Sequence, residues 1–230
     1  LFRNIIGCMV AVLILFIEYP DVIFSKGGYT SVPILIAARF LRIPVVIHES
    51  DAVPGLANRL ARNYASYIAI AHDEVISYFD PTKTALVGIP IQRIMQAPDP
   101  NPHQTLGIPT DRPVVYITGG SLGAKRINEL VLRCLPSLLT SYTVFHQTGT
   151  ADYEATVLAA QALLKNPEQQ NYYFPLATLK PDQVRAALSA ATIVISRAGS
   201  TTLFEIALFG KPSIVIPIPE EVSHDQRTNA

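Results

Sequence analysis

Three short glycine-bearing segments carry residue types that hold phosphates and sugar hydroxyls. Thr118-Gly119-Gly120-Ser121-Leu122-Gly123-Ala124 follows the apolar run at 114–117 and opens a helix-length pattern. Glycines at such a junction allow a tight turn and a close backbone approach. The freed amides and the helix dipole can then hold a diphosphate, with the Ser121 hydroxyl as a further donor. The pattern is neither the G-x-G-x-x-G fingerprint nor a P-loop, which argues against hydride transfer and ATP hydrolysis. A plain packing turn is the alternative. Lys26-Gly27-Gly28-Tyr29 repeats the arrangement after Phe24 and Ser25. Its glycines can admit a substrate, and Tyr29 offers an amphipathic ring, although a simple surface turn fits equally well.

In the third segment, Ser196-Arg197-Ala198-Gly199-Ser200-Thr201-Thr202 leads into an apolar-periodic helix with Glu205 in its early turns. Ser200, Thr201 or Thr202 can cap that helix. Glu205 can accept hydrogen bonds from a sugar diol at the crevice, or it can close a capping box with Thr202 and need no ligand. His48-Glu49-Ser50-Asp51 and His224-Asp225-Gln226 each follow an apolar run. Neither histidine has others, or cysteines, at metal-ligand spacing, so no metal is expected. His48 reads as structural, at the margin of a core. Cys8 and Cys134 both sit in apolar surroundings and read as buried thiols, with no disulfide framework implied.

The elements that must position these residues are short apolar runs at 22–25, 45–48, 68–71, 84–87, 114–118, 143–147, 193–196 and 213–217, alternating with helical patterns at 33–40, 124–135, 182–190 and 202–209. Strands with consecutive apolar residues, separated by helices, mark a parallel sheet covered on both faces, so the class is α/β. Prolines 98, 100 and 102 are hostile to helix and to central strand. They predict an extended linker over 97–110 between a domain at 1–96 and a second at 111–230. The uncharged stretch from Ile5 to Ile17 is shorter than the roughly 20 residues that span a bilayer. It is expected to be a buried helix packed on a sheet, with a membrane-surface helix as the alternative. The chain has 18 basic and 18 acidic residues, evenly distributed, so no field favours nucleic acid.

Taken in order, these segments resemble the N-acetylglucosaminyltransferases that act on the lipid-linked peptidoglycan precursor. The resemblance runs through Gly27-Gly28-Tyr29-Thr30-Ser31, Pro44 to Glu49, Pro54 to Arg59, Gly88-Ile89-Pro90, Gly119 to Ala124, Arg197-Ala198-Gly199, and Asp225-Gln226 with Asn229-Ala230. It implies the GT-B architecture of two Rossmann-like domains with parallel sheets, here truncated at both ends. It further implies inverting transfer of N-acetylglucosamine from UDP-N-acetylglucosamine to an undecaprenyl-pyrophosphoryl-N-acetylmuramoyl-pentapeptide, forming lipid II at the cytoplasmic face of the cell membrane. Contact with the membrane is peripheral, and no metal, cofactor or nucleic acid takes part.

On that pattern Gly119, Gly120, Ser121, Gly123, Phe174, Arg197, Gly199, Thr202, Glu205, Asp225 and Gln226 line the donor site, with Glu205 on the ribose hydroxyls. Gly27, Gly28, Tyr29, Glu49 and Asp51 line the acceptor side. Arg59 and Arg62 are candidates for headgroup contact. The chain departs from the family at Asp51, Gln92 and Asp225, where Asn, Arg, and Gln or His are usual. The family's catalytic base is expected upstream of residue 1, with Glu49 and Asp51 as candidates within the chain, so this piece alone is expected to be weakly active or inactive. The alternatives are another UDP-sugar GT-B enzyme (a glycolipid glycosyltransferase or an epimerase) and a partner-dependent, non-catalytic UDP-sugar-binding subunit.

Overall fold

A computed structural model describes residues 2–120, 123–218 and 226–229. The chain divides into two compact units, Leu1–Pro90 with Asn229 and Ile91–Thr228 with Ala230.

The first unit runs α1 (Phe2–Glu18), β1 (Ile23–Ser25), α2 (Val32–Leu41), β2 (Val45–Glu49), α3 (Leu56–Ala61), β3 (Tyr67–Ile70) and β4 (Thr84–Leu86). Its strands pair in parallel in the order β1-β2-β3-β4. Val45, Ile47, Ile68 and Ile70 are buried with Leu35, Ala37 and Ala38 of α2, as consecutive apolar residues in a covered parallel sheet require.

Helix α1 departs from expectation. Among its described side chains Ala11 and Leu15 are buried in the core and Val12 packs partly against it, while Met9, Leu13, Phe16 and Ile17 are each more than half exposed. The helix lies along α2, with the Cβ position of Gly7 only 3.6 Å from the Pro33 ring. It is apolar on every side, so burying one stripe leaves the others on the surface. Among the described residues no helix is long and apolar enough to cross a membrane.

The second unit runs α4 (Pro102–Leu106), β5 (Val114–Thr118), α5 (Lys125–Leu138), β6 (Thr143–Gln147), α6 (Tyr153–Leu163), α7 (Pro167–Gln170), β7 (Tyr173–Leu176), α8 (Pro181–Ala190), β8 (Ala191–Ser196), α9 (Ser200–Leu208) and β9 (Ser213–Val215). A last turn, α10 (Gln226–Asn229), closes the described chain. The sheet is parallel throughout, in the order β7-β6-β5-β8-β9. Strand β5 is central and feeds both cores. Val115 and Ile117 pack with Ile127, Val131 and Leu135, whereas Val114 and Tyr116 pack with Phe145, Leu188 and Ile206.

The run at 173–176, not among the expected strands, forms β7; Pro175 is accommodated because β7 is an edge strand, where a missing N–H is tolerated. Cys134 is exposed, because the buried stripe of α5 passes through Ile127, Val131 and Leu135 and misses it. The proline-rich stretch is no free spacer. Pro102 opens α4, and Gly107 ends it at φ 65°. Asp99, buried, accepts hydrogen bonds from the Asn101 N–H (2.8 Å), the Thr105 hydroxyl (3.0 Å) and the Arg185 guanidinium (3.3 Å). Its own N–H donates to Ser189 Oγ at 2.8 Å. The segment is thereby strapped to α8 within the second unit, which begins at Ile91.

Candidate functional site

In the second unit β5 is flanked by β6 on one side and β8 on the other, so successive connections leave the sheet in opposite directions. Ligands of open α/β sheets bind outside the strand C-termini at such a switch point. Thr118 and Ser196 pair in register there, so the turn at 119–123 and the turn at 197–199 leave the sheet side by side. The first turn needs its glycines. Gly120 and Gly123 have φ of 83° and 79°. A Cβ on Gly123 would stand 2.5 Å from the Thr148 carbonyl oxygen, and one on Gly119 would stand 2.5 Å from the Ala124 nitrogen. The Gly120 N–H is already taken, donating to Thr118 Oγ1 at 3.0 Å. Ser121 lies outside the described residues.

Helix α9 starts after Gly199, which is its N-cap without any side-chain cap. The Thr202–Glu205 capping box therefore does not form: Thr202 is already inside the helix, and Leu203 N–H bonds the Gly199 carbonyl at 3.0 Å. Glu205 is half-buried, and desolvation raises its pKa. Its charge also reaches Tyr116, whose phenol is pushed up first by burial and then by Glu205. Arg197 has its pKa lowered by burial and by the like charge of Arg126.

Arg126 was not anticipated, yet it left a sequence signal. Lys125 and Arg126 stand in the first turn of a 14-residue helix that has no acidic residue there. The dipole disfavours cations at that end, so an anion is the natural complement. Phe174 sits on β7, two strands from β5, and packs against the core beside Val114 and Tyr116 rather than at the turn. Asp225 lies outside the described residues, and Gln226 opens α10.

In the first unit Gly27 and Gly28 have φ of 80° and 89°. A Cβ on Gly27 would come within 2.9 Å of Asn58 Nδ2. Tyr29 is exposed, and a mostly apolar pocket of about 730 Å³ opens beside it, lined by Cys8, Gly28, Tyr29, Pro33, Ile36 and Leu56 among others. Glu49 is not part of that lining. It is buried and accepts the Gly55 N–H (2.9 Å), Asn58 Nδ2 (2.9 Å) and the Asp51 N–H (3.2 Å), so it organises the loop from within. Asp51 is half-buried and accepts Asn229 Nδ2 at 2.9 Å. His48 is structural as expected: its Nε2 donates to the Gly88 carbonyl at 2.9 Å, leaving Nδ1 to accept from Ser50 Oγ at 3.2 Å. Arg59 and Arg62 turn onto the first unit itself, through the Pro54 carbonyl (2.8 Å), the Tyr78 ring and the Tyr78 carbonyl (3.2 Å).

Residues 114–230 match the glycosyltransferase family 28 C-terminal domain, and residues 2–70 match the corresponding N-terminal domain. The chain is 36% identical over 231 residues to a UDP-N-acetylglucosamine--N-acetylmuramyl-(pentapeptide) pyrophosphoryl-undecaprenol N-acetylglucosamine transferase of Clostridium kluyveri, covering 100% of this chain and 62% of that protein. A second transferase of that name, from Bacillus cereus, is 38% identical over 92% of this chain and 57% of its own length. The chain thus spans about three-fifths of these relatives. Among solved structures, MurG of Acinetobacter baumannii is 28% identical with a TM-score of 0.67, covering 99% of this chain and 61% of that one. A UDP-GlcNAc 2-epimerase of Neisseria meningitidis, 15% identical with a TM-score of 0.65 over 93% of this chain and 63% of that one, shares the fold alone. With two parallel-sheet Rossmann-like units of the GT-B class and both domain matches in order, the chain belongs to glycosyltransferase family 28.

Proposed function

We propose that this protein transfers N-acetylglucosamine from UDP-N-acetylglucosamine to undecaprenyl-pyrophosphoryl-N-acetylmuramoyl-pentapeptide, with inversion at the anomeric carbon. The observation that carries this reading is the pairing of the β5 and β8 ends, each leading into a glycine-bearing turn and a helix, with Arg126 close enough to lower the Arg197 pKa and a half-buried carboxylate, Glu205, on the helix after β8. The names of relatives 33–38% identical to the chain agree with it.

The chemistry follows from those groups. An acceptor hydroxyl gives its proton to a base as its oxygen bonds the anomeric carbon, and the bond from that carbon to the UDP oxygen breaks. The charge gathering on the leaving diphosphate is met by the N-terminus of α5 together with Arg197 and Arg126. Glu205 accepts from ribose hydroxyls, which suits a carboxylate whose desolvation makes it seek donors. Glu49 does not serve as the base, since N–H donors hold both of its oxygens. The acceptor lies along Gly27, Gly28 and Tyr29. The exposed apolar residues of α1 support peripheral contact with the cytoplasmic face of the membrane, a task that Arg59 and Arg62, engaged elsewhere, do not share.

Calorimetric titration of the chain with UDP-N-acetylglucosamine, repeated on Glu205→Ala, tests the donor half. Hydrogen bonds to a charged partner are worth about 1.5–3 kcal/mol, so the variant should bind roughly 10- to 100-fold more weakly. A folded chain that binds no donor, or a variant with unchanged affinity, would sink the assignment.

A further inference from the structure

Thr118 and Gln147 end adjacent strands and stand opposite one another in register. Both are almost wholly buried. Thr118 Oγ1 donates to Gln147 Oε1 at 2.9 Å and accepts the Gly120 N–H at 3.0 Å. The Tyr116 hydroxyl donates to the same Oε1 at 3.4 Å. In this arrangement the Thr118 hydroxyl accepts from the backbone and gives its single proton to the carbonyl end of the Gln147 amide, which the Tyr116 hydroxyl shares.

We propose that the Thr118–Gln147 pair positions the Gly119–Gly120 bend for the diphosphate of a nucleotide ligand. This rests on the donor-site reading above. Thr118 is a positioning residue and touches no ligand itself. By holding the Gly120 amide it sets the first bend of the turn, where Gly120 has φ 83°. With that bend fixed before the ligand arrives, less ordering is left to binding, and preorganisation of this kind appears as affinity. Gln147 keeps the Thr118 hydroxyl from rotating away. Because each partner comes from a different strand, the sheet itself sets the geometry.

The test is UDP titration of the chain and of Thr118→Val and Thr118→Ser, with thermal unfolding and exchange of the Gly120 amide recorded for each. Valine keeps the shape and loses the hydroxyl; serine keeps the hydroxyl. Thr118→Val should bind UDP about 5- to 20-fold more weakly and exchange its Gly120 proton faster. Thr118→Ser should restore both to within about twofold of the parent. Equal loss in both variants, or unchanged UDP affinity in Thr118→Val whatever its melting temperature, overturns the inference. If Thr118→Val folds poorly, Gln147→Met removes the orienting carbonyl instead, and unchanged UDP affinity there overturns it as well. A parent chain that binds no UDP removes the donor-site reading and this inference together. A binding parent with an unaffected Thr118→Val removes this inference alone.

Discussion

Acid should destabilise the second unit through one buried imidazole, His146 on β6. Its Nδ1 lies 3.0 Å from the Tyr173 hydroxyl and its Nε2 lies 3.0 Å from Asn128 Oδ1. Asn128 Nδ2 donates to the Thr148 carbonyl at 2.9 Å, so Oδ1 is the acceptor and Nε2 carries the proton. The neutral ring is fully satisfied, and burial lowers its pKa from 6.5 to about 4. Because the folded pKa is depressed, the unfolded chain binds more protons between these values. The stabilisation is complete above about pH 6.5, falls as the pH drops, and is exhausted near pH 4. At 1.36 kcal/mol per unit the interval is worth about 3 kcal/mol, enough to matter against a total of about 5–15 kcal/mol. Urea unfolding of the chain and of His146→Gln, followed by tyrosine near-ultraviolet circular dichroism from pH 7.5 to 4.5, measures it. The parent should lose about 1.4 kcal/mol per pH unit more than the variant below pH 6.5. Parallel curves would refute the reasoning.

Two further outcomes follow from the donor turn. Gly123→Ala should cost about 2–4 kcal/mol in urea unfolding, since it combines a left-handed φ with a contact 2.5 Å from a backbone oxygen. The control Gly199→Ala, at φ −76° with no atom within 4 Å, should stay within about 1 kcal/mol of the parent, and similar losses in both would count against the steric account. Arg126→Glu should have opposite effects on folding and binding. It places an acid at the N-terminus of α5 beside Arg197, raising stability by about 0.3–1 kcal/mol, while weakening UDP binding roughly tenfold. Loss of stability, or unchanged UDP affinity, would contradict an anion site there.

The turns of the candidate site were legible because their signals are local. Glycines between an apolar run and a helix mark a turn, so Gly27, Gly120 and Gly123 could be picked out by position, and each has a positive φ in the structure. Roles that depend on partners distant in the chain were less legible. Glu49 reads as a ligand-facing carboxylate at a strand end. Only the return of Gly55 and Asn58 onto it shows a scaffold residue. Thr118 carries no signal of its own, because its partner Gln147 lies 29 residues away on the neighbouring strand.

The sequence by itself determined the α/β class, the parallel strands, the three glycine-bearing turns and the neutral charge, since each follows from composition or from periodicity over a few residues. Tertiary structure decided which side of α1 is covered, that an edge position admits Pro175, and that Asp99 ties the proline-rich stretch to α8. It also decided that β5 lies between β6 and β8, which sets the strand ends at Thr118 and Ser196 side by side. The physical reason is common to all of these. Local pattern sets the conformation of a segment, whereas burial, edge position and hydrogen-bond partner depend on which segments become neighbours when the whole core closes.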